Sequence, residues 1–214
     1  MSKLWIEKYR PKKLEEIVGQ SNTKDLSKKL RNNNITHLLF KGPPGTGKTS
    51  TSIAIAKVQY GENWRLNFKE LNAGDERTLN DIREKVKKYV KYKPLFDAEY
   101  KTIFLDEAES LTDDAQKALN RLMERYGDNC RFIFCCNRAE PIMDTIRSRC
   151  TEYQFNPVPA EEIVKCLKKI ALLENLEISD EEVTNIAKKS KGDLRKAINN
   201  LQMSRTDFHE LFDG

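Results

Sequence analysis

Gly42-Pro43-Pro44-Gly45-Thr46-Gly47-Lys48-Thr49 is the stretch on which the fold turns. It fits G-x-x-x-x-G-K-[ST] in full, a loop whose glycines let successive backbone N–H groups point inward around phosphate. The flanks agree with it. The apolar run Leu38-Leu39-Phe40 precedes the loop, and a helix-compatible stretch from Ser50 to Val58 follows. A strand entering and a helix leaving would place the positive end of a helix dipole against the same anion. Lys48 is then set to reach the outer phosphates of ATP, and the Thr49 hydroxyl to hold Mg²⁺. A Gly-Pro turn with no ligand is the competing reading, and the strand–loop–helix context argues against it.

Further short apolar runs lie at Leu66–Leu71, Ile103–Leu105, Phe132–Cys136 and Tyr153–Phe155, with helical spacing between them. That alternation predicts an α/β fold built on a parallel five-stranded sheet flanked by helices. The pattern changes at Pro157-Val158-Pro159. Beyond it, Ile163, Val164, Leu167, Ile170, Ala171 and Leu173 recur at helical spacing. Ser179 with Glu182 forms a capping box that opens a second helix, Lys191-Gly192 breaks it, and Asp193 caps a third. The expected division is a nucleotide-binding α/β domain over 1–157 and a small all-α domain over 158–214.

Ile103-Phe104-Leu105-Asp106-Glu107 reads as a strand ending in two carboxylates. Downstream of a phosphate loop, Asp106 is expected to hold Mg²⁺ through its water shell and Glu107 to act as general base on the attacking water. Acids that simply open the next helix are the alternative. Asn137 ends the run Phe132–Cys136, where a polar side chain faces the ligand crevice of an open α/β sheet. It would orient the water or touch the γ-phosphate, but Asn is equally a turn former. Arg147 and Arg149 stand just before the last strand. Arginine can neutralise charge on a transferring phosphoryl group, and a surface ion pair uses the same residues.

Composition bounds the rest. The 214 residues are 33% charged and 38% hydrophobic with a net charge of +5, enough for a large domain and a small one. No apolar run approaches the roughly 18 residues of a membrane span, and the N-terminus carries Lys3, Lys8, Arg10, Lys12 and Lys13 in place of a signal core. An intracellular protein with no membrane partner is expected. Five cysteines, none in a C-x-x-C pair, argue against a disulfide framework or a zinc site. From Arg83 to Lys101 seven residues are basic and three acidic, either a patch that meets phosphates or a solvated helix face.

Together these motifs resemble the small subunits of replication factor C, the clamp loader, within the AAA+ ATPases. The resemblance runs along the whole chain. It rests on Trp5-Ile6-Glu7-Lys8-Tyr9-Arg10-Pro11, Ile17-Val18-Gly19-Gln20, the loop Gly42–Thr49, Leu105-Asp106-Glu107-Ala108, Asp114-Ala115-Gln116-Lys117-Ala118-Leu119, Ser148-Arg149-Cys150 and Gly192-Asp193-Leu194-Arg195-Lys196-Ala197. It implies that the all-α domain is a lid. Tyr9, Arg10, Pro11, Val18 and Gly19 would surround the adenine and ribose. Asn137 would be sensor 1, and Arg195 sensor 2, reaching the γ-phosphate from the lid. Arg149 would be a finger acting on ATP held by a neighbouring subunit. Arg83 and Lys87, four residues apart on one helix face, would touch the backbone of primed double-stranded DNA.

The family pattern also implies the partners: other subunits in a hetero-pentamer, and the sliding clamp. It places the work in the nucleus if the source is eukaryotic and in the cytoplasm otherwise. Departures are Glu109 for the usual Asp, Asn120 for a common Arg, Thr145 for a Pro and Arg147 for a Gln. The family carries a further helical collar that joins the ring. The chain stops at Gly214 and is read as a fragment whose own assembly and hydrolysis are expected to be weak. Two other functions compete with clamp loading: an architectural subunit that hydrolyses little, which intact Lys48, Asp106 and Glu107 disfavour, and a remodelling or branch-migration motor, which Ser148-Arg149-Cys150 and Arg10-Pro11 disfavour.

Overall fold

The computed structural model describes residues 4–32, 34–74, 79–96 and 98–210, with the backbone alone for 79–83 and 206–210. Five strands, β1 (His37–Lys41), β2 (Phe68–Asn72), β3 (Lys101–Asp106), β4 (Cys130–Cys136) and β5 (Cys150–Gln154), form one parallel sheet in the order β2-β3-β4-β1-β5. The helices are α1 (Trp5–Lys8), α2 (Thr23–Arg31), α3 (Lys48–Tyr60), α4 (Trp64–Asn67), α5 (Leu79–Lys91), α6 (Asp113–Tyr126), α7 (Asp144–Arg147), α8 (Ala160–Leu173), α9 (Asp180–Ser190) and α10 (Leu194–Glu210).

Side chains alternate across the sheet. Leu38, Phe40, Phe104 and Ile133 face α2 and α3, whereas Leu39, Ile103, Leu105, Phe132 and Phe134 face α5 and α6. Both faces are covered, so the middle of each central strand is a continuous apolar run, as in parallel strands. Full burial of a Phe or Leu here contributes about 2–3 kcal/mol. β1 lies between β4 and β5, so the chain leaves it in one direction and later returns on its other side. The carboxyl end of such a strand is where ligands bind in open α/β sheets.

All five strands differ from their apolar runs by one to three residues at one end or both, and β2 and β5 show the cause. Leu66 and Asn67 belong to α4 and the strand begins at Phe68. Asn67 closes a ring with a distant loop, its Nδ2 donating to Leu95 O at 2.8 Å and its Oδ1 accepting from Leu95 N at 2.9 Å. β5 begins three residues earlier than Tyr153 and ends at Gln154, while Phe155 N donates to Lys41 O at 2.7 Å just past it. This edge strand is half polar, so alternation marks it weakly.

The all-α part follows its local signals. Ser179 accepts from Glu182 N while Glu182 reaches back to Ser179 N, opening α9; Lys191 and Gly192 take positive φ, and Asp193 Oδ1 caps α10 by accepting from Lys196 N at 2.9 Å. Ile163, Leu167, Ile170, Val183, Ala197 and Leu201 pack together, and Trp5 from the far N-terminus sits among them. Glu174 ties this segment down, accepting from Lys8 Nζ at 2.6 Å and Tyr9 Oη at 2.7 Å. The sequence alone offers no signal that α1 packs on helices some 160 residues away.

His37, on β1, has a titration consequence. Its Nδ1 accepts from Phe132 N at 3.1 Å, which requires the neutral ring. Burial, with Arg131 and Arg149 nearby, holds its pKa down from 6.5 to about 4. The folded state therefore binds fewer protons than the unfolded one, so stability is present above pH 6.5 and falls as pH drops toward 4. We expect a loss on the order of 1–3 kcal/mol over that window, read as the urea midpoint. His37→Gln should flatten that part of the profile, and an unchanged profile would show that His37 does not set it.

Candidate active site

The loop Gly42–Thr49 leaves β1 and enters α3, as the sequence requires. Gly42 N donates to Cys136 O at 3.2 Å, which ties the loop to β4. Two glycines are demanded by their surroundings. A Cβ at Gly42 (φ +147°) would stand 2.0 Å from Phe155 O, and one at Gly45 (φ +71°) 1.7 Å from Asp193 Oδ1. The second contact brings the helical part onto the loop, where Leu194 N donates to Gly45 O at 3.1 Å. Gln20, nearly buried, joins the same region by donating from Nε2 to Thr46 O at 3.2 Å and Asn156 O at 2.7 Å.

A cavity of about 560 Å³ opens above the loop. Its phosphate end holds Lys48, Thr49, Ser50, Asp106, Glu107 and Asn137. Lys48 Nζ donates to Gly42 O and to Pro43 O at 2.9 Å, and lies 3.4 Å from Asn137 Oδ1. Burial lowers its pKa, so an incoming phosphate gains a poorly hydrated cation. Thr49 Oγ1 donates to Asp106 Oδ2 at 2.9 Å. These two hard oxygen donors fit Mg²⁺, which binds few protein ligands and keeps waters and substrate phosphates.

Glu107 sits at φ 53°, ψ 39°, a left-handed conformation that is costly for a residue with a Cβ and recurs at functional sites. Its Oε2 would lie 2.6 Å from a Cβ at Gly74, so the absence of a side chain there leaves it room. Asn137 follows β4, and its backbone N and Nδ2 both donate to Glu109.

The opposite end of the cavity is lined by Tyr9, Arg10, Pro11, Val18 and Ile17, and from α8 and α10 by Cys166, Ile170, Leu173 and Ile198. The apolar side chains here suit a base, with charged residues such as Arg10, Glu16 and Lys169 also on the wall. Arg195 reaches the wall from α10, as do Pro44, Gly45, Thr46 and Gly47 of the loop. Gly19, Gly42 and Pro43 do not line it. Gly19 instead packs against Val158 and Pro159. Arg149 is away from the cavity, with Nε donating to Asn120 Oδ1 at 3.0 Å and an ion pair to Glu124. Lys87 is exposed on α5 beside a groove shared with Lys117, Arg121 and Arg125 of α6. The side chain of Arg83 lies outside the described residues. Glu109, which the sequence marks only as a departure from the family's usual Asp, is also a wall residue.

A strand–loop–helix holding Lys48 and Thr49 over Asp106 and Glu107 defines a nucleotide-hydrolysing fold. The family described as ATPases associated with various cellular activities (AAA) matches residues 38–158, and the RCF1/5-like AAA+ ATPase lid domain matches residues 165–205. The chain belongs to the AAA family of ATPases, and its helical part matches an RCF1/5-like lid.

Among characterised proteins it is similar to the replication factor C small subunits. That of Methanococcus maripaludis strain C7 is 48% identical over 203 residues, 94% of this chain and 64% of the relative. That of Archaeoglobus fulgidus is 48% identical over 200 residues, 93% of this chain and 63% of the relative. The chain spans a little under two thirds of the length of these relatives. Among solved structures it is similar to the RuvB Holliday junction branch migration motor of Thermotoga maritima, with TM-score 0.75 at 23% identity over 92% of this chain and 65% of that one. A likeness at that identity shows the shared fold alone.

Proposed function

We propose that the chain is the ATP-hydrolysing part of a clamp-loader subunit, which with partner subunits opens a sliding clamp and closes it on primed DNA. The observation that carries this is the convergence of Lys48, Thr49, Asp106, Glu107, Asn137 and Arg195 on one cavity, in a chain similar to replication factor C small subunits over nearly all its length. Backbone N–H groups of the loop and Lys48 hold the β- and γ-phosphates. Thr49 and Asp106 would hold Mg²⁺, which would supply charge neutralisation at the phosphates. Glu107 takes a proton from the attacking water, and Arg195 engages the γ-phosphate from α10. Tyr9, Arg10, Pro11 and Val18 enclose the base and ribose, with Gly19 behind them allowing close approach of the lid. Arg149, facing outward, serves the ATP of a neighbouring subunit.

Lys87, with Arg83 on the same helix, faces the DNA backbone, and the basic α6 residues beside it support that placement. No helix among the described residues is long and apolar enough to cross a membrane. Work on chromosomal DNA places the protein inside the cell. The relatives are archaeal, so a nuclear site draws no support from them.

The deciding measurement is ATP turnover by the subunit assembled with its partners, with and without sliding clamp and primed DNA. We expect at least about tenfold stimulation when both are present, as a finger and ordered water enter the site. Turnover indifferent to both would remove clamp loading and leave a different AAA activity.

A further inference from the structure

Glu109 lies three residues beyond Asp106, in the single turn Ala108–Ser110 that follows β3, and it forms part of the cavity wall. Its Oε1 accepts two hydrogen bonds from one residue, from Asn137 backbone N at 2.9 Å and from Asn137 Nδ2 at 2.8 Å. Its Oε2 is buried and has no hydrogen-bond partner.

The pairing has a directional result. An amide has a donor end and an acceptor end, and only its partners distinguish them. A carboxylate can only accept and an ammonium can only donate. With Glu109 on one side and Lys48 Nζ 3.4 Å from the other, a single orientation satisfies both: Nδ2 toward Glu109 and Oδ1 toward the phosphate end of the cavity. The second hydrogen bond, to the backbone of the same residue, removes the swing that would let the amide turn over.

We propose that Glu109 is a positioning residue that locks the Asn137 amide with its oxygen facing the reaction. This rests on reading the cavity as an ATP-hydrolysing site, and it narrows what Asn137 does there. An oxygen cannot bond a phosphate oxygen. It accepts from the attacking water or from the Lys48 ammonium, so Asn137 orients the water and steadies Lys48 while the loop N–H groups and arginines hold the phosphates.

The test compares Glu109→Ala, Glu109→Gln, Asn137→Ala and the Glu109→Ala/Asn137→Ala double variant. Turnover and nucleotide affinity are measured in the complex assembled with partner subunits. Exchange of the Asn137 side-chain amide protons is followed by NMR in the chain itself. Glu109→Ala should lower kcat roughly tenfold with nucleotide affinity unchanged, the size typical of losing a residue that orients a catalytic group. Glu109→Gln retains an acceptor oxygen and should stay within about threefold of the parent, and the double variant should be no slower than Asn137→Ala. The Asn137 amide protons should lose protection in Glu109→Ala and keep it in Glu109→Gln. Parent-like turnover of Glu109→Ala, additive losses in the double variant, or a Gln variant as slow as the Ala variant would each overturn the proposal. If the parent complex does not hydrolyse ATP, the reading of the site fails, and the exchange data still decide whether Glu109 holds Asn137.

Discussion

Glu107→Gln should leave ATP binding within about twofold of the parent chain while lowering turnover of the assembled complex by roughly 10²–10⁴-fold. The two effects separate because of where Glu107 stands. It contributes nothing to the loop that grips the phosphates, and Thr49 Oγ1 pairs with Asp106, not with Glu107. Glu107 takes a left-handed backbone conformation, and its carboxylate lies against Gly74, where a Cβ would come within 2.6 Å of Oε2. Gln keeps the shape and the hydrogen-bonding reach but cannot take up a proton at neutral pH. The lost transition-state interaction corresponds to about 3–5 kcal/mol. Fluorescent-nucleotide titration checks the first half and phosphate release the second. Unchanged turnover would mean that this site does little hydrolysis in the complex, which is the architectural reading.

Arg149→Ala should act at a distance. ATP binding by the altered chain should be unaffected, while hydrolysis at the adjoining subunit's site falls by roughly 10³-fold or more, the range for removal of an arginine finger. Arg149 does not line its own cavity and is engaged with Asn120 and Glu124. Its side chain is 41% exposed, so that ion pair is weakly held and can be exchanged for a phosphate. Lys at this position should restore little, because an ammonium lacks the planar fork that spans two oxygens. Complexes mixing an Arg149→Ala subunit with Glu107→Gln subunits, assayed for phosphate release, assign the loss to one site or the other. A loss confined to the altered chain's own site would show that Arg149 does not work across subunits. The same geometry accounts for the slow turnover expected of the chain alone, since no neighbour is present to supply the finger.

Much of the fold was legible before any coordinates. The loop and its flanks define a central strand and its helix, because phosphate binding needs a backbone shape that only a short, contiguous run can build. The apolar runs and the caps at Ser179 and Asp193 are likewise local, and β1, β3, β4 and the helices after Pro159 lie where these signals put them. Limits failed where local pattern was outvoted. Asn67 is held by Leu95, and β5 is defined by pairing with β1 while its own residues alternate poorly. At the candidate site, Lys48, Thr49, Asp106, Glu107 and Asn137, named from motifs, do share one cavity, whereas Gly42 and Pro43 of the loop do not line it. Glu109 could not be assigned in advance, since its meaning is its contact with Asn137 on another strand's end.

By itself, then, the sequence determined which chemistry the chain carries: a phosphate loop, a strand ending in Asp106 and Glu107, and a helical segment bearing Arg195. Only the tertiary structure decided how those groups face one another. It set Trp5 and Tyr9 against the helices of the lid, turned Arg149 outward onto α6, and placed Glu109 behind Asn137. The reason is physical. Backbone conformation and amphipathic period are written in neighbouring residues, whereas a hydrogen bond between residues tens of positions apart exists only once the sheet order has brought their strands together.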